Sequence, residues 1–180
     1  MNEYNVYDFL DPKARLDRAD FSNHKIHKLC VTSFYLYEQE FKEKQISFNI
    51  PRSQDEVRIN WSTARTALAQ ILDNCLKYCK PNSDIEVKIS SNGAYLDLKL
   101  KMTSLYFSNS EKKSLTLPGY RGKLVPEEKI KGKGMGMYII NRMIELNEGK
   151  FDFWSNEKTC YSSGDYTYSE NDFLISLKRI

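Results

Sequence analysis

The chain has 180 residues, 41% hydrophobic and 28% charged, which is enough to bury a core without staples and too apolar for a disordered segment. No apolar run approaches the ~20 residues of a membrane helix, and Met1 to Leu10 carries Glu3 and Asp8 with no basic start, so neither a span nor a secretory signal is expected and the location read is cytoplasmic. A net charge of +3 is too mild for a nucleic-acid binder unless it is concentrated in one place. Cys30, Cys75, Cys79 and Cys160 form no CxxC pair, and Cys75 and Cys79 fall on an apolar helix face, so reduced core thiols are expected.

Residues 1–22 show no sustained periodicity and read as a linker or docking arm, with one domain expected over 23–180. Phe21 to Phe41 has a partial helical face in Ile26, Leu29, Cys30, Phe34, Leu36 and Tyr37. His24, His27 and Cys30 lie at helical spacing within it. Without an evident fourth ligand, and beside lysines, the histidines read as solvated rather than metal-binding. Ile46 to Ile50 and Val57 to Trp61 alternate apolar and polar residues around Pro51, Ser53 and Asp55, which predicts a hairpin-like pair of strands.

The clearest helix follows. Ala64, Ala67, Leu68, Ile71, Leu72, Cys75, Leu76 and Cys79 make one apolar face, and Pro81 and Asn82 stop it. At about 100° per residue, Gln70, Asn74, Lys77 and Tyr78 form a second stripe beside that face, placed either to line a cleft or to meet solvent. Asp84 to Ser90 and Tyr95 to Met102 alternate again and are joined by Ser91-Asn92-Gly93, a turn between antiparallel strands.

From Phe107 to Lys131 neither pattern holds, as in a functional lid. Between Glu111 and Lys133 seven basic residues stand against three acidic ones, a surplus larger than that of the whole chain. This basic stretch runs into Gly132-Lys133-Gly134-Met135-Gly136, after which Met137, Ile140, Met143 and Ile144 fall on one helical face. Glycines at a helix start leave the first backbone N–H groups open and let a ligand approach them, so the segment reads as a phosphate site. Gly149 is expected to stop this helix, with closing strands at Lys150 to Trp154 and Phe173 to Leu177. The polar, tyrosine-rich stretch from Glu157 to Asp172 predicts nothing.

Two distant motifs combine into a resemblance. Gln70-Ile71-Leu72-Asp73-Asn74-Cys75-Leu76-Lys77-Tyr78 looks like the asparagine box, and Gly132 to Tyr138 looks like the second glycine box, of the ATP-binding domain of sensor histidine kinases. That domain belongs to the GHKL superfamily, with DNA gyrase, a heat-shock chaperone and a mismatch-repair ATPase. Gly119-Tyr120-Arg121-Gly122 looks like the segment before the lid. The parts occur in the family's order and cover roughly Phe21 to the C-terminus. The resemblance implies a two-layer α/β sandwich, a mixed sheet with helices on one face. It also implies Mg2+ and ATP as ligands, with Asn74 on a phosphate-bridging Mg2+, Lys77 on phosphate and Tyr78 against the nucleotide. Gly132, Gly134 and Gly136, with Met135 and Met137 between and after them, would bind phosphates and let the lid close. Arg121 and Met102 would complete the nucleotide site.

The departures bear on function. Met102 stands where the family has an aspartate that accepts from the adenine amino group, and Thr103, Ser104 and Tyr106 stand in place of the following glycines. Gln70 occupies the place of the general-base glutamate of hydrolytic relatives, and an amide cannot take a proton from water, so hydrolysis is not expected. No helical hairpin carries a phosphoacceptor histidine. One expectation is therefore a kinase catalytic domain binding Mg2+–ATP and acting on a phosphoacceptor of another domain or chain. The alternative is a pseudo-ATPase domain that serves as a protein-interaction module. A nucleic-acid partner is not expected, because too few aromatic residues flank the basic loop.

Overall fold

The computed structural model describes residues 21–125, 130 and 132–180. The arm expected over 1–22 lies outside the described residues up to residue 20, as do Glu127, Glu128, Lys129 and Lys131 of the expected lid. The chain begins with β1 (Ser22–Lys25), α1 (Ile26–Phe34), a 3-10 turn over Tyr35–Tyr37 and α2 (Glu38–Glu43). Next come β2 (Ser47–Asn49), β3 (Glu56–Ile59) and α3 (Trp61–Tyr78), then β4 (Asp84–Asn92) and β5 (Tyr95–Leu105). A 3-10 turn over Asn109–Glu111 leads into α4 (Lys112–Leu115), and α5 (Gly136–Leu146), β6 (Lys150–Ser163) and β7 (Tyr166–Lys178) complete the fold.

The main sheet has five strands in the order β2-β4-β5-β7-β6, with β2 parallel to β4 and the other neighbours antiparallel. It is a mixed sheet in a two-layer α/β sandwich. Strand alternation sends Ile85 and Val87, Leu96 to Met102 at every second place, and Phe173, Ile175 and Leu177 to the inner face, where they are buried. The helices answer with Leu68, Ile71, Leu72, Ile140, Met143 and Ile144, all buried in the same core. The outer face is charged and cross-linked by ion pairs, Lys99 to Asp172 at 2.9 Å and Lys101 to Glu170 at 3.1 Å. Among the described residues no helix is long and apolar enough to cross a membrane.

Several local expectations are corrected. The segment after Phe21 begins as a strand, because Ser22 to Lys25 pair antiparallel with Glu56 to Ile59. The two strands expected to form a hairpin do not pair with each other: β2 joins β4 and β3 joins β1. The glycine helix is stopped by Glu148, whose φ is 54°, rather than by Gly149. Gly149 has a packing role instead, since a Cβ there would lie 2.7 Å from the Ser176 carbonyl oxygen. The stretch 157–172 is ordered into the distal halves of β6 and β7.

One polar pin sets the helices that carry the site. Asn60 caps α3, its Oδ1 accepting from the Thr63 N–H at 3.1 Å. Asn147, just past α5, accepts from the Asn60 N–H and donates to Thr63 Oγ1 and to the Met143 carbonyl, each at 2.8 Å. At the other end of the same pair, Asn74 of α3 meets Gly136 at the start of α5. The two helices therefore run antiparallel, held at both ends.

Candidate functional site

The stripe beside the apolar face of α3 does line a cleft. Gln70, Asp73, Asn74, Lys77 and Tyr78 open onto a cavity of about 220 Å3. Its opposite wall is Gly132 to Met137, its floor is the end of β5 from Met102 to Leu105, and its rim is the loop with Tyr120, Arg121 and Gly122. All ten positions nominated from the sequence line this one cavity: Asn74, Lys77, Tyr78, Met102, Arg121, Gly132, Gly134, Met135, Gly136 and Met137. A wider hollow of about 540 Å3 lies behind Tyr78, between Lys44, Pro81, Ile130 and Tyr168, and no residue of the glycine segment lines it.

At the head of α5 no side chain among the described residues caps the helix, and the first intrahelical bond runs from the Ile139 N–H to the Met135 carbonyl at 3.0 Å. The N–H groups of the first turn thus remain available to an anion. A Cβ on Gly136 would come to 3.1 Å from Asn74 Oδ1 and 3.6 Å from Gln70 Oε1, so the glycine brings the helix start against the asparagine. Asn74 Nδ2 contacts Met137 Sδ at 3.5 Å, while its Oδ1 accepts no hydrogen bond among the described residues. A neutral oxygen beside an open helix start suits a cation that keeps phosphate and water as its other ligands, which is how Mg2+ is usually held.

Gly134 joins the helix start to the rim. Its φ is +69°, and its carbonyl accepts from the Gly119 N–H at 3.1 Å. Glu111, buried in the 3-10 turn, holds the same loop: it accepts from Tyr120 OH at 2.8 Å and from the Lys123 N–H at 3.2 Å. That carboxylate pushes the Tyr120 phenol above its ordinary pKa. Arg121 Nη2 donates to the Ile130 carbonyl at 2.5 Å. The stretch from Phe107 was expected to be unpatterned, yet it contains this turn and α4, and Lys112 is paired with Asp152.

Lys77 forms an ion pair with Asp73 one turn earlier, so a phosphate would compete with that carboxylate for it. Tyr78 is pushed up by its own burial, against the pull of the Lys77 and Arg121 cations beside it. At the floor, Met102 is 3% exposed and packs its sulfur 3.5 Å from Cys75 Sγ. The described floor offers no carboxylate at that place, so the residues present fit the phosphate and Mg2+ end of a nucleotide better than an adenine amino group.

Sequence reasoning missed Asn171 and underrated Ser104 and Glu111, all of which line the cavity. The signal for Asn171 was the alternation of Phe173, Ile175 and Leu177, which extends two residues back to an inward-facing polar side chain.

No protein-family model matches the sequence, and the comparison with curated proteins finds no match. Solved structures do match. The chain is similar to a mycobacterial sensor histidine kinase, MprB, at 14% identity and a TM-score of 0.69, over 88% of this chain and 97% of that one. It is similar to the nucleotide-free catalytic domain of histidine kinase ThkA at 14% identity and a TM-score of 0.70, over 88% and 95%. The histidine kinase AdeS of Acinetobacter baumannii matches at 12% identity and a TM-score of 0.70, over 96% and 72%. The fold of this chain is that of the catalytic domains of these histidine kinases.

Proposed function

We propose that the chain is a nucleotide-binding domain of the histidine-kinase type, taking Mg2+–ATP in the cavity between α3 and α5. The observation that carries this reading is the juxtaposition of Asn74 with the uncapped, glycine-lined start of α5, a cation ligand beside an anion site. Asn74 holds the metal, the N–H groups from Gly136 onward hold phosphate, and Lys77 adds charge once released from Asp73. Arg121 and the Gly119 to Gly122 loop cover the phosphates, and Tyr78 walls the cavity. The bound triphosphate would supply a γ-phosphoryl group for a histidine on another domain or a protein partner, in cytoplasmic signalling. Gln70 holds no charge with which to activate water, which favours transfer over hydrolysis.

Calorimetric titration with Mg2+–ATP tests the reading. Binding is expected to weaken by about tenfold or more in Asn74→Ala, as for a lost contact to a charged group. Equal affinity in the variant, or a native protein that binds no nucleotide, would remove the proposal. Met102→Asp is expected to tighten Mg2+–ATP about tenfold by restoring a charged acceptor for the base, at the cost of burying a carboxylate in the unliganded protein. Unchanged affinity in that variant would show that position 102 does not face the base.

The second reading, a pseudo-ATPase interaction module, is favoured by Met102 and by the Lys77 to Asp73 pair. It predicts no Mg2+–ATP binding in either the native chain or Met102→Asp.

A further inference from the structure

The wider hollow behind Tyr78 is basic and aromatic at once. Lys44 and Lys77 stand on it with Tyr78, Tyr166, Tyr168 and Pro81, and no carboxylate among the described residues lines it. Lys44 donates to the Leu76 carbonyl at the end of α3, which uses one of its three hydrogens and holds the ammonium at the rim. Behind the tyrosines a third cation adds positive charge: Lys80 Nζ donates to Tyr161 OH at 3.0 Å and lies 5.8 Å from the centre of the Tyr168 ring. Of these three lysines only Lys77 has a carboxylate partner among the described residues, Asp73. At about 540 Å3 the hollow has the size of a binding cleft.

Such a surface is complementary to a segment that brings carboxylates and aromatic rings together. The arm of this chain contains one. Residues 2–11 carry Glu3, Asp8 and Asp11 with no lysine or arginine, and Tyr4, Tyr7 and Phe9 stand among the acids.

The segment is also within reach. The arm enters the fold at Ser22, which pairs with Ile59 two residues before α3, so the entry lies at the N-terminal end of that helix. The hollow lies at the C-terminal end, where Leu76 to Cys79 line it. The helix has 18 residues, so the two places are about 27 Å apart along its axis. Asp8 precedes Ser22 by fourteen positions, which span up to about 46 Å when extended.

We propose that residues 2–11 dock in this hollow on their own chain, with carboxylates facing Lys44 and Lys77 and rings against Tyr166, Tyr168 and Pro81. The docking requires no nucleotide, although Lys77 lines both cavities and ties the docked arm to the neighbouring site.

Two measurements on the nucleotide-free full chain at low salt test this. Carbodiimide, which joins a carboxylate to an amine in contact with it, is expected to link Glu3, Asp8 or Asp11 to Lys44 or Lys77 in the monomer fraction, as mapped by mass spectrometry. Chymotryptic cleavage after Tyr7 and Phe9 is expected to be at least about threefold slower in the chain than in a free peptide of residues 1–14, because cleavage follows the undocked fraction. Lys44→Glu should remove that protection. If this variant does not fold, Asp8→Lys with Asp11→Lys, which lies outside the described fold, must remove it when judged against its own free peptide. Equal cleavage of chain and peptide, links to Lys113 or Lys123 of the rim loop alone, or links found only between two copies would each overturn the proposal.

Discussion

Asn147→Ala is expected to lower stability by about 3 kcal/mol or more, read from the urea midpoint with an unchanged slope. The side chain is 1% exposed and makes three hydrogen bonds, to the Asn60 N–H, Thr63 Oγ1 and the Met143 carbonyl. Alanine leaves a buried N–H and a buried carbonyl without partners and adds a void between α3 and α5, and neither loss can be made good by water in a site this enclosed. A change below about 1 kcal/mol, typical of a surface position, would mean that the two helices are held together by apolar packing alone.

Gly134→Ala is expected to cost about 2–3 kcal/mol of ligand-binding free energy, roughly 30- to 150-fold in Mg2+–ATP affinity. Two effects combine. The φ of +69° disfavours any side chain, and the new Cβ would lie 2.6 Å from both the Gly119 carbonyl carbon and the Tyr120 oxygen. Those are backbone atoms, so the rim loop must move away from the helix start and take Arg121 with it. Calorimetry of the variant beside Gly132→Ala provides the comparison, because among the described residues nothing lies within 4 Å of a Cβ at 132. Equal affinities in the two variants would show that docking of the rim onto the helix start does not matter for binding.

Legibility followed how far structure was local. The apolar face of α3 was readable because eight residues repeat at one period and a single element suffices to explain them. The strands were readable as strands, but their partners were not. Ile46 to Ile50 and Val57 to Trp61 satisfy a hairpin by alternation and spacing, yet β2 lies parallel to β4 after a helical crossover, which no local pattern encodes. β1 was hidden because Ser22-Asn23-His24-Lys25 has no apolar face and is a strand only through its pairing with β3. The wall of the site was legible because helix starts and glycines carry their chemistry in sequence order. Its floor was not, because Ser104 of β5 and Ser169 and Asn171 of β7 break the inward apolar alternation and make sense only once the two strands are laid side by side.

The antiparallel pair α3 and α5 carries a further consequence. Asn74 lies eleven positions after Thr63, and Asn147 eleven positions after Gly136, so the spans between the two meeting points match at about 16 Å each, at 1.5 Å per residue. Each helix is the gauge against which the other is cut. Adding one residue to either alone would turn everything beyond it by about 100° and break one meeting point or the other. Length variation in this chain is therefore confined to matched changes in both helices or to the segments outside them, and descendants of this fold are free to lengthen their loops while these two intervals stay equal.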